Sequence, residues 1–401
     1  MSGITVDQAR DILLEKVEQI NETEVIPLWD SVGRVIARDI VAQHSQPPFP
    51  RSPLDGYALR SEDIKHAAKE NPVSLIVIDE VTAGHISSQY VSKGMAVRIM
   101  TGAPIPDGAD CVIRQEDTDY GEVTVAVYKS LKKWQNYCFE GEDYKKGEVI
   151  LARDTMIGAV EAGILASLGY DSLEVYRQAR VMLITTGDEL VLPGEALEAG
   201  KIYDSNLYTL GTRLRQWGAQ IISGTRLEDN PYVVAREIQK GVCRADIVIT
   251  TGGVSVGKKD IMHDVISILG CEKLFWKIEI KPGMPTLCAV YQGKLLICLS
   301  GNPYGAAVNL ELLVRPLLAF MMRRKDLELQ RIQAKAVGCF GKKSGVARYV
   351  RGYYREGKAI LTTGSNDSGI MSSMCGCNSL IEIPAGSERL NEGDDVWTVL
   401  L

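Results

Sequence analysis

Short apolar runs closed by glycine turns alternate with helically spaced segments through the second half of the chain. The fullest case spans Asp246–Asp260, where Ile247-Val-Ile-Thr250 reads as a buried strand. Thr251-Gly-Gly-Val-Ser-Val-Gly257 follows as a turn, and the residues after Asp260 have helical spacing. The same order recurs at Val181–Glu189 and Leu295–Pro303, with a sheet-edge version at Arg98–Pro104. From Arg180 to Met322, strands at 181–184, 220–225, 247–250 and 295–299 precede helices at 206–217, 232–242, 261–269 and 304–322. Such alternation predicts a doubly wound, mainly parallel α/β sheet with its ligand crevice at the strands' carboxyl ends.

The rest of the chain has a different rhythm. Ala9, Ile12, Leu13, Val17 and Ile20 give residues 5–20 helical spacing, with Thr5 and Gln8 forming a capping box. Residues 25–40 look extended, and the proline cluster Gln46-Pro-Pro-Phe-Pro50 breaks regular structure. Strands are expected at 73–78, 96–100, 111–115 and 123–128, and a compact helix at 156–168. Past the basic run Arg323-Arg-Lys325, residues 331–401 alternate and predict a small all-β domain.

Composition narrows the function. The 401 residues allow two to four domains, and a net charge of -6 argues against a general nucleic-acid grip. No apolar run approaches the roughly 18–20 residues needed to span a bilayer. The polar start leaves no signal peptide, and nine scattered cysteines suggest reduced thiols, so a cytoplasmic location is expected. Cys375-Gly-Cys377 has no second pair or nearby histidine to make a metal site. His44, His66, His85 and His263 show no ligand spacing and read as structural or surface residues.

Strand, glycine turn and helix together aim backbone N–H groups at an anion. Gly252–Lys259 matches G-x-x-x-x-G-K, but Lys259 stands where a P-loop places the Ser or Thr that holds Mg²⁺. The turn therefore reads as a different anion site, and Asp260 after it as a helix cap, a metal contact or both. Asp188 and Glu189 put two carboxylates past a strand end, where paired acids can hold a divalent cation beside phosphates. Asp204-Ser-Asn206 reads as a helix cap or a ligand contact, and Asp229-Asn-Pro231 as a helix cap. In a strand, Lys277, Glu279 and Lys281 would share one face and form a cationic strip, with Ile278 and Ile280 opposite. Asp55-Gly56 reads as a turn in an irregular segment, and Arg348 and Arg351 need not share a strand face.

Taken in order, these segments resemble the MoeA/gephyrin E-domain family of molybdopterin molybdenumtransferases. The resemblance rests on Pro48-Phe-Pro, Leu54-Asp-Gly-Tyr-Ala58, Ile99–Asp110, Thr186-Gly-Asp-Glu-Leu190 and Thr251–Gly257 with Asp260. It continues through Ile280-Lys-Pro-Gly-Met-Pro285, Ser300-Gly-Asn-Pro303 and Ser372-Ser-Met374 with Asn378.

The resemblance implies insertion of molybdate into adenylylated molybdopterin with Mg²⁺ and release of AMP. It implies four domains: 1–46 with 141–178 (helical, elongated and dimer-forming), 47–140 (β-rich), 179–325 (α/β) and 326–401 (a small β-barrel). A homodimer is expected, with each cleft between domain III of one subunit and domain II of the other. An adenylyltransferase and molybdoenzyme-maturation proteins are expected partners, with no nucleic acid and no membrane. Asp55, Glu189, Asp260, Lys277 and Lys281 take the catalytic positions, with Glu189 and Asp260 also holding the metal. Thr101, Asp143, Asp229, Gly252, Gly253, Ser255, Gly257, Pro303, Arg351 and Ser372 take substrate-binding positions. Two other readings are an adenylyltransferase-like enzyme and a scaffold that keeps the fold without the chemistry.

Overall fold

A computed structural model describes residues 3–254, 260–362 and 369–401. Ser255 and Gly257 lie outside the described residues, as do Lys258 and Lys259. The chain divides into two compact units. The first comprises Met1–Ala37, Met156–Gly158 and Ser172–Leu401; the second comprises Arg38–Thr155 and Ala159–Asp171. Segments 1–46 and 141–178, expected together as one domain, are thus shared between the units.

The central sheet of the first unit contains β1 (Arg180–Thr186), β2 (Gln220–Leu227), β3 (Ile247–Thr251), β4 (Glu272–Trp276), β5 (Leu287–Tyr291) and β6 (Lys294–Leu299). Their order is β2-β1-β3-β6-β5-β4. The first four in this order are parallel; β5 and β4 add an antiparallel edge that the helix-strand rhythm did not reveal. Period-two alternation sorts the side chains of β1, β3 and β6 onto two faces. Val181, Leu183, Ile247, Ile249, Leu295 and Ile297 share a core with Leu210 and Leu214 of helix Asn206–Gln216. Met182, Ile184, Val248, Leu296 and Cys298 pack against helices Pro231–Gly241 and Met262–Leu269. Helices therefore cover both faces, and the strands read as unbroken apolar runs for that reason.

Helix Pro303–Met321 is long and apolar enough to cross a membrane by length and composition, yet 89% of its apolar window is buried in the core. A π-helical turn interrupts it at Leu310–Val314. Its buried Arg315 donates to the carbonyls of Leu327 (2.9 Å) and Leu400 (2.8 Å), tying it to the C-terminal sheet. There Ala347–Arg355, Lys358–Leu361, Arg331–Val337, Asp395–Leu400 and Ser379–Ile383 follow one another as neighbours. Pairing of the last with the first closes them into the expected barrel.

At the N-terminus, the capping box forms, but the helix is shorter than its spacing predicted and covers Val6–Leu14. Ile20 is still buried, because its N–H donates to the Met321 carbonyl at 2.9 Å instead of continuing the helix. The extended stretch is likewise divided: Thr23–Pro27 pairs with Ser172–Tyr176, and a separate strand, Ile40–Val41, belongs to the second unit.

The second unit is built on a five-stranded sheet in the order Cys111–Arg114, Gly56–Leu59, Met95–Ile99, Val73–Val81, Thr124–Val127. Gly56–Leu59 was expected to be a turn and irregular chain; it is instead an internal strand with every residue buried. Tyr57 and Leu59 face one apolar cluster and Ala58 the other. The glycine is required by proximity, since a Cβ there would lie 1.8 Å from the Ile113 carbonyl oxygen. Backbone cannot yield as a flexible side chain would. Gly56→Ala is therefore expected to cost about 3 kcal/mol or more. Thermal melts should show early unfolding, whereas a near-wild-type melting temperature would contradict this reading.

Candidate functional site

β1, β3 and β6 run parallel, so the turns after Thr186, Thr251 and Leu299 emerge at one edge of the sheet. They pack glycine against backbone. Gly252 has φ +98°, and a Cβ on it would lie 2.2 Å from the Thr186 carbonyl oxygen. A Cβ on Gly301 would lie 3.3 Å from the Gly252 Cα. Asn206 fastens two of these turns, its Nδ2 donating to Thr251 Oγ1 and to the Gly301 carbonyl, both at 2.9 Å. Thr251 Oγ1 donates onward to the Ser300 carbonyl at 2.8 Å. Pro303 opens the following helix. The described turns are thus closely packed and lined by main chain, the setting in which amides receive an anion.

Acids occupy the β1–β2–β3 part of this edge. Asp229 donates its N–H to Asp188 Oδ1 at 3.1 Å. Burial pushes the Asp229 carboxyl pKa up, and the negative charges of Asp188 and Glu189 push the same way. Asn230, rather than Asp229, caps the next helix through the N–H groups of Tyr232 and Val233. Asp204 does cap its helix, accepting from Leu207 N at 3.0 Å while also taking Thr185 Oγ1 at 2.5 Å. Burial also raises the Asp260 carboxyl pKa, opposed by the nearby His263 and by the N–H groups of Met262 and His263. One carboxylate oxygen of Asp229 and one of Asp260 are buried without a hydrogen-bond partner among the described residues.

These acids suit a cation that a ligand completes. Among the described residues, no group of three or more His, Cys, Asp or Glu side chains is placed to hold a metal. Asp229 follows β2 and Asp260 follows β3, strands that are not neighbours in the sheet. Glu189 follows the intervening strand β1. Mg²⁺ is commonly held by one or two carboxylates, with substrate phosphates and waters filling the other positions. The unpartnered oxygens fit that donor set.

At the other end of the edge the charge reverses. The expected strip of Lys277, Glu279 and Lys281 is not a single strand: Lys277 has φ +73° and separates β4 from the short strand Ile280–Lys281. Ile278 and Ile280 are buried as the alternation predicted, but Lys277 is turned so that its Nζ lies 4.2 Å from the centre of the Trp276 ring. Trp276 meets His263 edge-on at 4.7 Å, so His263 is part of the site's packing. Lys281 is exposed, and Gly283 after it is held by Asn309 Nδ2, which donates to its carbonyl at 2.7 Å.

Arg348 and Arg351 share one barrel strand. Arg351 is fully buried against the Tyr304 ring at 3.8 Å and donates to the Ile370 carbonyl at 2.5 Å and to Ser373 Oγ. It thereby fixes the turn that carries Ser372.

In the second unit, Asp55 and Thr101 come together: the Asp55 carboxylate accepts from Thr101 Oγ1 and Thr101 N, both at 2.7 Å. The hydroxyl bond, then the amide bond, holds the Asp55 pKa below its ordinary value. Asp143 lines a separate cleft with Arg51, Trp134 and Tyr137. Sequence reasoning missed Asn206, Asn309 and Trp276. Asn309 did leave a signal, as a lone amide in an apolar helix.

The fold defines a multidomain protein with a central α/β domain, a glycine-lined sheet edge and a small C-terminal barrel. Three family models match the chain: the MoeA N-terminal region (domain I and II) over residues 4–169, the probable molybdopterin binding domain over 182–319, and the MoeA C-terminal region (domain IV) over 333–401. A molybdopterin molybdenumtransferase of Staphylococcus epidermidis is 35% identical over 99% of this chain and 95% of its own length. That of Bacillus subtilis is 35% identical over 95% of this chain and 90% of its own length. A crystal structure of the molybdopterin biosynthesis MoeA protein from Pyrococcus horikoshii superposes with a TM-score of 0.83, at 31% identity and full coverage of both chains. The chain belongs to the MoeA family.

Asp229→Asn tests the acid site without removing a helix cap. A raised carboxyl pKa means that ionised Asp229 opposes folding, so the amide should stabilise by roughly 1 kcal/mol or less at neutral pH. The gain should shrink as pH falls and vanish below the ordinary carboxyl value of 3.8, where both states are protonated. Melts of both proteins across pH check the sign; a destabilised amide variant at pH 7 would contradict it.

Proposed function

We propose that the chain is a molybdopterin molybdenumtransferase, which inserts molybdate into adenylylated molybdopterin with Mg²⁺ and releases AMP. The observation that carries this reading is the edge itself: glycine-packed turns, carboxylate oxygens without partners at one end and lysines at the other. Six strands spaced about 4.8 Å apart extend over roughly 24 Å, room for an elongated phosphate-bearing ligand. In this reading the turn amides hold phosphate oxygens, and Lys277 and Lys281 attract molybdate and offset negative charge as the phosphoanhydride breaks. Glu189 and Asp260 would hold Mg²⁺, whose charge neutralises phosphate when bound. Asp229 orients the ligand beside them. Asp55 stays ionised through its Thr101 bonds, ready to accept a hydrogen bond from substrate. Arg351 holds the Ser372 turn in place, and a homodimer completes the reading.

Purified protein given adenylylated molybdopterin, Mg²⁺ and molybdate should release AMP and form active cofactor. A folded protein that releases none would sink the proposal. Asp260→Ala should lower turnover about 100-fold while the protein stays folded; a collapse of thermal stability would assign Asp260 to capping alone. Lys281→Ala should raise the molybdate concentration needed for half-maximal rate about tenfold, and an unchanged molybdate dependence would remove Lys281 from the anion site.

A further inference from the structure

β4 ends at Trp276, whose ring stands among cations and leaves its own polar atom unused. Trp276 Nε1 is buried without a hydrogen-bond partner among the described residues. An unsatisfied indole N–H is costly, and phenylalanine or leucine would avoid the cost. What the indole offers instead is its face, the strongest cation acceptor among the aromatic side chains. Lys277 Nζ lies 4.2 Å from the ring centre and Lys273 Nζ 5.9 Å from it. His263 meets the same ring edge-on, at 4.7 Å with 87° between the planes, and so fixes its tilt. The Lys277 backbone adopts φ +73°, a conformation that non-glycine residues rarely take. Its N–H donates to the Thr286 carbonyl at 2.9 Å, and its carbonyl accepts from Ile4 N at 3.3 Å. Strain fixed by such bonds clusters at ligand sites. All of these residues belong to the first unit.

The ring matters for what it leaves intact. Lys16, Lys240 and Lys335 each meet a carboxylate, at 3.1, 3.0 and 2.8 Å, and an acid partner offsets their charge. Lys277 has no carboxylate partner among the described residues. The ring quadrupole attracts its ammonium without neutralising it, and half-burial strengthens that attraction. The hold is also weaker than that of a desolvated ion pair, so an oxyanion competes for the ammonium without first breaking one. Resting on the transferase reading of this edge, we propose that Trp276 is a positioning residue: its ring, braced by His263, presents the Lys277 ammonium charged and unpaired to the molybdate oxyanion. Trp276 acts only through Lys277 in this role and touches no substrate. The side chain at position 276 then sets oxyanion affinity without adding or removing a charge.

Calorimetric titration of the full chain with sodium molybdate tests this as a double-mutant cycle. Wild type should bind molybdate, Lys277→Met should weaken binding about tenfold or more, and Trp276→Leu about fivefold. Trp276→Phe keeps a ring and should recover most of that loss, staying within about twofold of wild type. In the Lys277→Met background, Trp276→Leu should cause no further loss, because the ring has no ammonium left to hold. Thermal melts identify the folded variants, and Trp276→Met takes the place of Trp276→Leu in the cycle if the latter does not fold. No molybdate binding by wild type, full affinity without the ring, or equal losses with and without Lys277 would each overturn the proposal. AMP release from adenylylated molybdopterin by the same preparations separates the two claims. A coupled cycle without AMP release upholds the role of the ring and sinks the transferase reading; AMP release with additive losses does the reverse.

Discussion

The contact of Gly252 with the Thr186 carbonyl, continued by Gly301 against Gly252, sets how closely the turns after three parallel strands can approach. No side chain larger than hydrogen fits at Gly252, and one at Gly301 would crowd the Gly252 backbone, so main chain lines the edge. Asn206 then fastens the turns after β3 and β6 through two hydrogen bonds from one amide nitrogen. The separation of charge along the edge depends on this frame. Acids follow β1, β2 and β3, while Lys277 and Lys281 follow β4 at the far end. The close-packed turns keep opposite charges apart and leave carboxylate oxygens unpartnered, rather than letting them collapse into ion pairs.

Elsewhere the same residue types are used differently. Arg315 and Arg351 are buried and spend their donors on carbonyls, so their positive charge organises the joint between helix and barrel. Asp246, half-buried near the opposite end of β3, is held by Arg177 at 2.6 Å. Burial with a partner builds the fold in these cases. The second unit repeats the device on a smaller scale, with Gly56 admitting a neighbouring carbonyl and Thr101 fixing Asp55.

The alternation of strands and helices between Arg180 and Met322, the glycine turns and the all-β character of the C-terminal domain were all legible in the sequence. Each depends on local periodicity and turn chemistry, which any stretch of ten or so residues displays. The acids after β1, β2 and β3 were legible for the same reason, since a turn after a buried strand in an α/β sheet falls at the ligand edge. Three features were misread. Gly56–Leu59 looked like loop because its strand is short and starts at glycine, and the need for that glycine comes from Ile113, far along the chain. Lys277 looked like one tooth of a regular strip, but it turns out of the strand to lie on Trp276. The helix at the N-terminus looked longer because Ile20 keeps the apolar spacing while its burial is against Met321.

Sequence alone determined which segments are strands, which are helices, and where backbone amides and acids would emerge, because hydrophobic period and glycine placement act over a few residues. Tertiary structure decided which of those acids lie beside one another, which keep an oxygen without a partner, and which cations are spent on carbonyls. Those outcomes depend on strand order and on close approaches between residues tens to hundreds of positions apart. Asn206 reaches Gly301 and Thr251 only once β1, β3 and β6 are aligned. Local pattern carries no record of that alignment, and the chemistry of the edge follows from it.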